Sequence, residues 1–292
     1  RMGGRQARRQ VRAMALPENL QPVRAGQESG RYLPLQENEL DLIHEQVIRV
    51  LENIGLADAI PSCIEVMTAQ GCTMTESGRL LIPRKVVEET LEKAAKEMTL
   101  YGQTPEHDML LSGSRTYFGT AGAAVHIVEP QTRTYRDSTV KDLYDLARLC
   151  DKLEHIHFFQ RPIVCRDLDD PREMDFNTCL ASVFGTKKHV GTSFVETGHV
   201  QESLRMLNII AGSEEAWRAR PFVSMSNWFV VPPRKFAQDA CRCLEVGVYG
   251  GMPILLLSAG QAGATAPATI AGAVVQAVAE VLAGLVYVNA LV

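Results

Sequence analysis

The chain has 292 residues, a formal net charge of −4 and 46% hydrophobic residues, a composition typical of a globular protein with one large α/β domain or two smaller ones. The mildly negative charge argues against an electrostatic nucleic-acid binder, and we expect no nucleic-acid partner. Seven cysteines without a zinc-type CxxC pair, in a sequence with no secretory signal, indicate reduced thiols and a cytoplasmic location.

The first part of the chain is predicted to hold a basic arm and a mixed α+β extension. Residues 1–35 are rich in arginine and interrupted by proline and glycine, which indicates an irregular, solvated or partner-binding arm, with a transit peptide as the alternative. Residues 36–138 form the predicted extension, in which apolar residues recur at helical spacing between turn signals. Its predicted elements are helices over 36–53, 61–70 and 83–97 and hairpins over 72–82 and 115–135.

Residues 139–292 alternate regularly between strand and helix patterns. Short, continuously apolar runs predict strands over 156–164, 190–195, 221–225 and 254–257. The helical patterns lie over 142–153, 172–184, 200–211 and 234–249. This alternation predicts a parallel sheet buried on both faces. Right-handed crossovers allow either a closed barrel or an open doubly wound sheet.

Two features favour the barrel. The loops after the strands lack a dinucleotide-binding GxGxxG pattern, since GTAGAA at Gly119 does not fit it. The units also repeat without a reversal point, and four units are half of an eightfold barrel. We therefore expect an α/β fold of the TIM (β/α)8-barrel type, with only the first half of the barrel in residues 139–292. The chain is then expected to be the N-terminal part of a longer protein.

The last predicted unit, residues 251–284, ends in a very apolar helix. Thr265 is the predicted helix cap, with Pro267 in the first turn. From residue 266 to residue 292 only Glu280 is charged, so a membrane span is an alternative. However, the segment is rich in alanine and glycine and has no basic or aromatic flank. We expect a buried helix with Glu280 as a packed structural acid, and no membrane partner.

In a barrel, the functional residues lie on loops at the carboxyl ends of the strands. Here those loops offer aromatic rings, amides, hydroxyls and one carboxylate, which gives acid–base hydrolysis poor support. An aromatic face beside a carboxylate suits a quaternary ammonium, because that cation has no N–H to donate. The predicted substrate-binding residues are Gln160, Phe194, Glu196, Asn227, Trp228, Ser258 and Gln261.

Other interpretations of these residues stay open. Phe194 could belong to the core, and Glu196 could stabilise the dipole of the next helix. His155 and His157 form an HxH pair of the kind found in metal-dependent barrel hydrolases. Both stand at the start of their predicted strand, away from the barrel mouth. We therefore predict no metal site and keep a metal-dependent hydrolase as the alternative function.

Several ordered blocks of the sequence form a recognisable series. The blocks are RMGGRQARRQVR; GRYLPL ahead of IHEQVIRVLENIGL; YRDSTVKDLYDLARLCDKLEHIHFFQRPIVCRD followed by KKHVGTSF; and SAGQAGATAPATIAGAVVQAVAEVLAG. Taken together, these blocks resemble the trimethylamine methyltransferase superfamily, and the resemblance covers the whole chain.

The resemblance implies a TIM barrel with an N-terminal helical addition. It implies an enzyme that transfers a methyl group from a tertiary or quaternary amine, such as trimethylamine or glycine betaine, to the cob(I)alamin of a separate corrinoid protein. No cofactor is then bound directly by this chain, because the cobalamin belongs to the partner. Members that use trimethylamine carry a pyrrolysine in the second half of the barrel, and relatives without it use quaternary amines.

The roles of individual residues are expected from loop position and residue type, not from the resemblance. We expect Trp228 and Phe194 to contact the cation, Glu196 to balance its charge, and the other predicted residues to orient the rest of the amine. The catalytic residues stay unassigned, and a homo-oligomer is expected. A non-catalytic betaine-binding remnant is a further alternative.

Overall fold

The structure is a computed structural model that describes residues 14, 17, 21, 24–30 and 32–292. Most of the basic arm predicted over residues 1–35 therefore lies outside the described residues. The N-terminal helices are α1 (Glu37–Asn53), α2 (Pro61–Ala69) and α3 (Arg84–Lys93), close to the predicted segments. Helix α1 is closed at Gly55, whose φ of +61° favours glycine; a Cβ there would also lie 2.1 Å from the Leu80 carbonyl oxygen.

A small sheet combines strands from the N-terminal part of the chain with strands from residues 230–236. Its strands are β2 (Leu56–Ala57), β3 (Thr73–Met74), β4 (Arg79–Leu81), β13 (Val230–Val231) and β14 (Lys235–Phe236), in the order β13–β14–β2–β4–β3. The predicted hairpin over 72–82 is confirmed as the antiparallel pair β3–β4. Residues of the N-terminal helices and of the last helix share one apolar cluster beside this sheet.

The second predicted hairpin, over residues 115–135, is only half correct. Strands β8 (His126–Val128) and β9 (Tyr135–Asp137) do form an antiparallel pair. The earlier strand β7 (Arg115–Thr116) pairs instead with β1 (Gln27–Glu28). Residues 119–124 then run parallel to the first strand of the main sheet, through bridges from Gly119 to Phe158 and from Ala124 to Ile163. A further hairpin is made by β5 (Met98–Leu100) and β6 (Met109–Leu111).

The predicted parallel sheet is confirmed. Its strands are β10 (Phe158–Gln160), β11 (His189–Thr192), β12 (Val223–Asn227) and β15 (Ile254–Leu256), paired in that order. The helices beside them are α4 (Val140–Lys152), α5 (Pro171–Gly185), α6 (Thr197–Ala211), α7 (Glu214–Ala219), α8 (Gln238–Tyr249) and α9 (Ile270–Ala290). The sheet stays open in the described part of the chain, so the barrel remains a prediction.

The two faces of the parallel sheet are covered unequally. Phe159, Val190 and Met225 point toward the helices and are buried in apolar clusters. The opposite face borders a cavity of about 420 Å³ beneath the β5–β6 hairpin. Leu255, on that face, is 50% exposed. The expectation of a sheet buried on both faces is therefore wrong for this face of β15.

Helix α9 begins four residues later than predicted. Thr269, not Thr265, is its N-cap, and the Thr269 hydroxyl accepts from the Gly272 amide at 3.2 Å. The Thr265 hydroxyl instead accepts from the Gln261 amide, inside the preceding loop. Helix α9 is long and apolar enough to cross a membrane, by length and composition alone. In the structure it packs against α1, α2 and α3.

Candidate functional site

The carboxyl ends of β10, β11, β12 and β15 meet at one edge of the parallel sheet. The loops that follow these strands contain five of the seven predicted substrate-binding residues, and the other two, Gln160 and Asn227, are the last residues of β10 and β12. Parallel registers between neighbouring strands place the four loops side by side, about 4.8 Å apart per strand. We call this edge, with its loops 161–170, 193–196, 228–234 and 257–269, the carboxyl edge.

Gln160 is the last residue of β10 and lies on the open face of the sheet, where it borders the cavity. Its neighbour across the sheet is Gly191, and a Cβ at that position would lie 1.8 Å from the Gln160 Oε1 atom. In this conformation, the Gln160 side chain therefore occupies the space that a larger residue at position 191 would need. The Gln160 carbonyl oxygen accepts from the Thr120 hydroxyl at 2.5 Å, which ties residues 119–124 to the same edge.

Two of the predicted aromatic residues lie in different surroundings. Trp228 directly follows β12 and is 55% exposed, an unusual position for so large an apolar side chain. Phe194, in the loop after β11, packs against the apolar cluster between the sheet and α5, α6 and α8. The edge therefore presents the Trp228 ring to a ligand more fully than it presents Phe194.

Glu196 is the N-cap residue of α6, and its side chain is 68% exposed. Its carboxylate lies 3.8 Å from the His199 Nε2 atom, and no lysine or arginine within the described residues forms an ion pair with it. A carboxylate at a helix N-terminus is stabilised by the helix dipole. It also remains available to a cation at the carboxyl edge.

A buried Asp175–His199 pair supports the loop after β11, and the sequence analysis missed it. Asp175 Oδ2 accepts from His199 Nδ1 at 2.7 Å and from the Val195 amide at 2.8 Å. Since the carboxylate can only accept, His199 carries its proton on Nδ1 when it is neutral. Both residues are more than 90% buried. The only signal in the sequence was an acidic residue, Asp175, within the predicted helix 172–184, which also contains Arg172 and Glu173.

Asn227 and Ser258 are held by the protein itself. The Asn227 side chain donates to the Ala240 carbonyl oxygen at 2.9 Å, toward α8. The Ser258 hydroxyl donates to the Glu280 Oε2 atom at 2.5 Å, and Glu280 Oε1 accepts from the Arg234 amide at 2.8 Å. Glu280 is fully buried, so these bonds anchor the β15–α9 loop and the turn after β13 to α9.

Gln261 and Arg161 complete the edge. Gln261 is exposed in the β15–α9 loop. Arg161, directly after β10, is half-buried, and its Nη2 atom donates to the Ser193 hydroxyl at 3.0 Å. Burial lowers the pKa of the Arg161 guanidinium, and the nearby Asp175 carboxylate acts in the opposite direction.

The opposite end of the sheet holds the HxH pair. His157 Nδ1 accepts from the Phe118 amide at 2.8 Å, so that nitrogen is not free to bind a metal. Among the described residues, no three His, Cys, Asp or Glu side chains are grouped as metal ligands.

Together, the fold and the carboxyl edge define an α/β protein with a parallel sheet and an edge suited to a small charged ligand. Residues 1–291 match the family model described as trimethylamine methyltransferase. The chain belongs to the trimethylamine methyltransferase family.

Curated relatives agree with this assignment. A trimethylamine methyltransferase of Desulfitobacterium hafniense is 29% identical over 251 residues, which cover 86% of this chain and 50% of the relative. One from Methanosarcina barkeri is 28% identical over 260 residues, 85% of this chain and 51% of the relative. A glycine betaine methyltransferase of D. hafniense is 26% identical over 266 residues, 89% of this chain and 54% of the relative. The chain thus spans about half the length of these relatives.

Proposed function

We propose that the protein transfers a methyl group from a tertiary or quaternary amine to the cob(I)alamin of a separate corrinoid protein. The observation that carries this proposal is the family match over residues 1–291, with relatives named for methyl transfer from trimethylamine and from glycine betaine. The carboxyl edge also supports the proposal, because its aromatic and acidic side chains suit the binding of a cationic amine.

In the proposed reaction, the main tasks of the protein are to position the amine and to balance its charge. When a methyl group leaves a quaternary nitrogen, the bonding electron pair stays on nitrogen and the released amine is neutral. No proton has to be supplied to that leaving group, whereas a tertiary amine must first carry a proton on nitrogen so that it too leaves as a neutral amine. The corrinoid of the partner supplies the nucleophile that accepts the methyl group. The task of this chain is to hold the ammonium with one methyl group directed outward, since correct alignment removes much of the barrier.

Trp228 and Glu196 are the residues best placed to hold that cation. The face of a tryptophan attracts an ammonium group by its quadrupole, by about 0.5–2 kcal/mol according to how dry the site is. The Glu196 carboxylate is exposed and has no lysine or arginine partner among the described residues. The buried Asp175–His199 pair fixes the loop that carries Glu196, through the Val195 amide.

We also propose that further strands close the parallel sheet into a TIM barrel. The described chain supplies four paired strands and the parallel segment 119–124. Strand β15 is the last in the sheet, and the exposed Leu255 is an apolar side chain that a covering layer would bury. A structure of the complete protein tests this closure, and a sheet that remained open at β15 would contradict it.

The function is tested with protein expressed from its complete coding sequence and a reduced corrinoid protein. We expect the corrinoid absorption spectrum to change to that of the methylated form with at least one of trimethylamine, glycine betaine, proline betaine and carnitine. Trp228→Ala and Glu196→Gln should each raise KM for that amine about three- to thirtyfold. Tyr249→Ala, which removes a 55%-exposed aromatic residue at the far end of α8, is the control and should leave KM unchanged.

A further inference from the structure

Arg161 is a half-buried cation at the carboxyl edge whose hydrogen-bonding capacity is mostly unused. Its Nη2 atom donates to Ser193, while Nε and Nη1 have no hydrogen-bond partner within the described residues. No described carboxylate lies within ion-pair distance of its guanidinium. The carboxylate that influences its pKa, Asp175, instead accepts from His199 and Val195.

A guanidinium in this state is suited to an external anion. Its planar set of N–H donors matches the two oxygens of a carboxylate, and such charge-assisted bonds are about twice as strong as neutral ones. Partial burial strengthens the pairing further, because water competes less for the donors. The Ser193 hydroxyl holds the guanidinium in one orientation before any ligand arrives.

The position of Arg161 relative to Glu196 and Trp228 gives the spacing of the ligand. Arg161 follows β10, Glu196 lies in the loop after β11, and Trp228 follows β12. Since adjacent strands are about 4.8 Å apart, the backbone positions that carry the anion-binding and cation-binding side chains are separated by roughly 5–10 Å along the edge. A small molecule with an ammonium group and a carboxylate a few bonds apart spans this interval.

We propose that Arg161 binds a carboxylate of the amine substrate and thereby selects zwitterionic, N-methylated amino acids over simple methylammonium cations. This inference rests on the proposed function, because it places the carboxylate beside the group that holds the ammonium. A simple cation gains nothing from Arg161 and is repelled by its charge. A betaine pairs both of its charges at once.

Binding measurements on matched pairs of ligands test this assignment. Each pair differs by one carboxylate: glycine betaine against tetramethylammonium, and proline betaine against N,N-dimethylpyrrolidinium. Calorimetric titration of the protein from its complete coding sequence should show at least one betaine binding tenfold or more tightly than its matched cation. Equal affinity within both pairs, or tighter binding of both cations, would overturn the proposal without any variant.

Variants then test whether Arg161 is the residue that causes the preference for the betaine. Arg161→Gln should weaken the preferred betaine about ten- to a hundredfold, the loss expected for hydrogen bonds to a charged group. It should leave the matched cation within twofold or bind it more tightly, which also shows that the variant is folded. The betaine affinity of Arg161→Lys should lie between those of the wild type and Arg161→Gln, because lysine keeps the positive charge but lacks the planar set of N–H donors. Arg49→Gln, at an exposed arginine beside Glu45 on α1, is the control and should change neither affinity.

The results separate this inference from the function on which it rests. An equal loss of both ligands in Arg161→Gln, or no loss of the betaine, overturns the carboxylate site even if methyl transfer is observed. If Arg161→Gln selectively loses betaine affinity but the wild type methylates no corrinoid with any amine, the carboxylate site is supported and the proposed function is refuted.

Discussion

His189 is a buried imidazole whose neutral form the fold requires, and this makes stability depend on pH. Its Nδ1 lies 2.8 Å from the Tyr101 carbonyl oxygen, and its Nε2 lies 2.9 Å from the Ser224 hydroxyl. Because the carbonyl only accepts, Nδ1 carries the proton and Nε2 accepts from Ser224. Burial lowers the pKa of His189 from its ordinary value near 6.5 to about 4.

The direction and size of the effect follow from that difference. The folded state binds the His189 proton more weakly than the unfolded state, so the contribution of the neutral imidazole is fully present above pH 6.5. It is lost as the pH falls toward 4. Between pH 7.5 and pH 4.5 the free energy of unfolding should fall by about 2.5 kcal/mol through this residue alone.

Urea unfolding of the wild type and of His189→Gln at several pH values measures this contribution. Glutamine can donate to Tyr101 and accept from Ser224 but does not titrate. We expect the variant to be less stable by about 1 kcal/mol at pH 7.5 and to lose about 2.5 kcal/mol less than the wild type on acidification. His155→Gln, at an exposed imidazole, is the control. Equal losses on acidification in the wild type and His189→Gln would refute the argument.

Two further predictions concern buried charges. The Lys188 ammonium donates to the carbonyl oxygens of Cys150, Leu153 and Ile156. Lys188→Met leaves all three oxygens without this donor, so it should lower the free energy of unfolding by about 3 kcal/mol in urea titrations. Its exposed neighbour gives the control Lys187→Met, and equal stabilities of the two variants would contradict the prediction. Asp175→Ala should raise KM for the amine about tenfold and speed amide exchange at Val195, because that amide loses its acceptor; unchanged exchange would show that the carboxylate does not hold the loop.

The alternation of strand and helix in the second part of the chain was predictable because local signals repeat there. The four apolar runs and the helical spacing between them suffice to place β10, β11, β12 and β15, and parallel neighbours follow from the crossover rule. The cap of α9 was not predictable in this way. Thr265 and Thr269 are both suitable caps by type, and only the loop turn that uses Thr265 decides between them.

Contacts between residues distant in sequence account for the other differences. The segment 119–124 has the glycine-rich composition of a turn, yet it lies parallel to β10. Hydrogen bonds hold it there: the Phe118 backbone pairs with His157, and the Thr120 hydroxyl donates to the Gln160 carbonyl oxygen. The site shows the same limit. Trp228 and Glu196 could be chosen by type and loop position, whereas the Asp175–His199 pair and the unused donors of Arg161 depend on side-chain positions that no local pattern records.

The central claim, methyl transfer from an amine to a corrinoid, is tested most directly by following the methyl group itself. Protein from the complete coding sequence is incubated with a reduced corrinoid protein and an amine bearing ¹³C-labelled methyl groups, and the corrinoid is analysed by mass spectrometry. We predict a labelled methyl group on the corrinoid, formed together with one equivalent of demethylated amine and absent when the enzyme is omitted. An unlabelled corrinoid with all four amines would contradict the account.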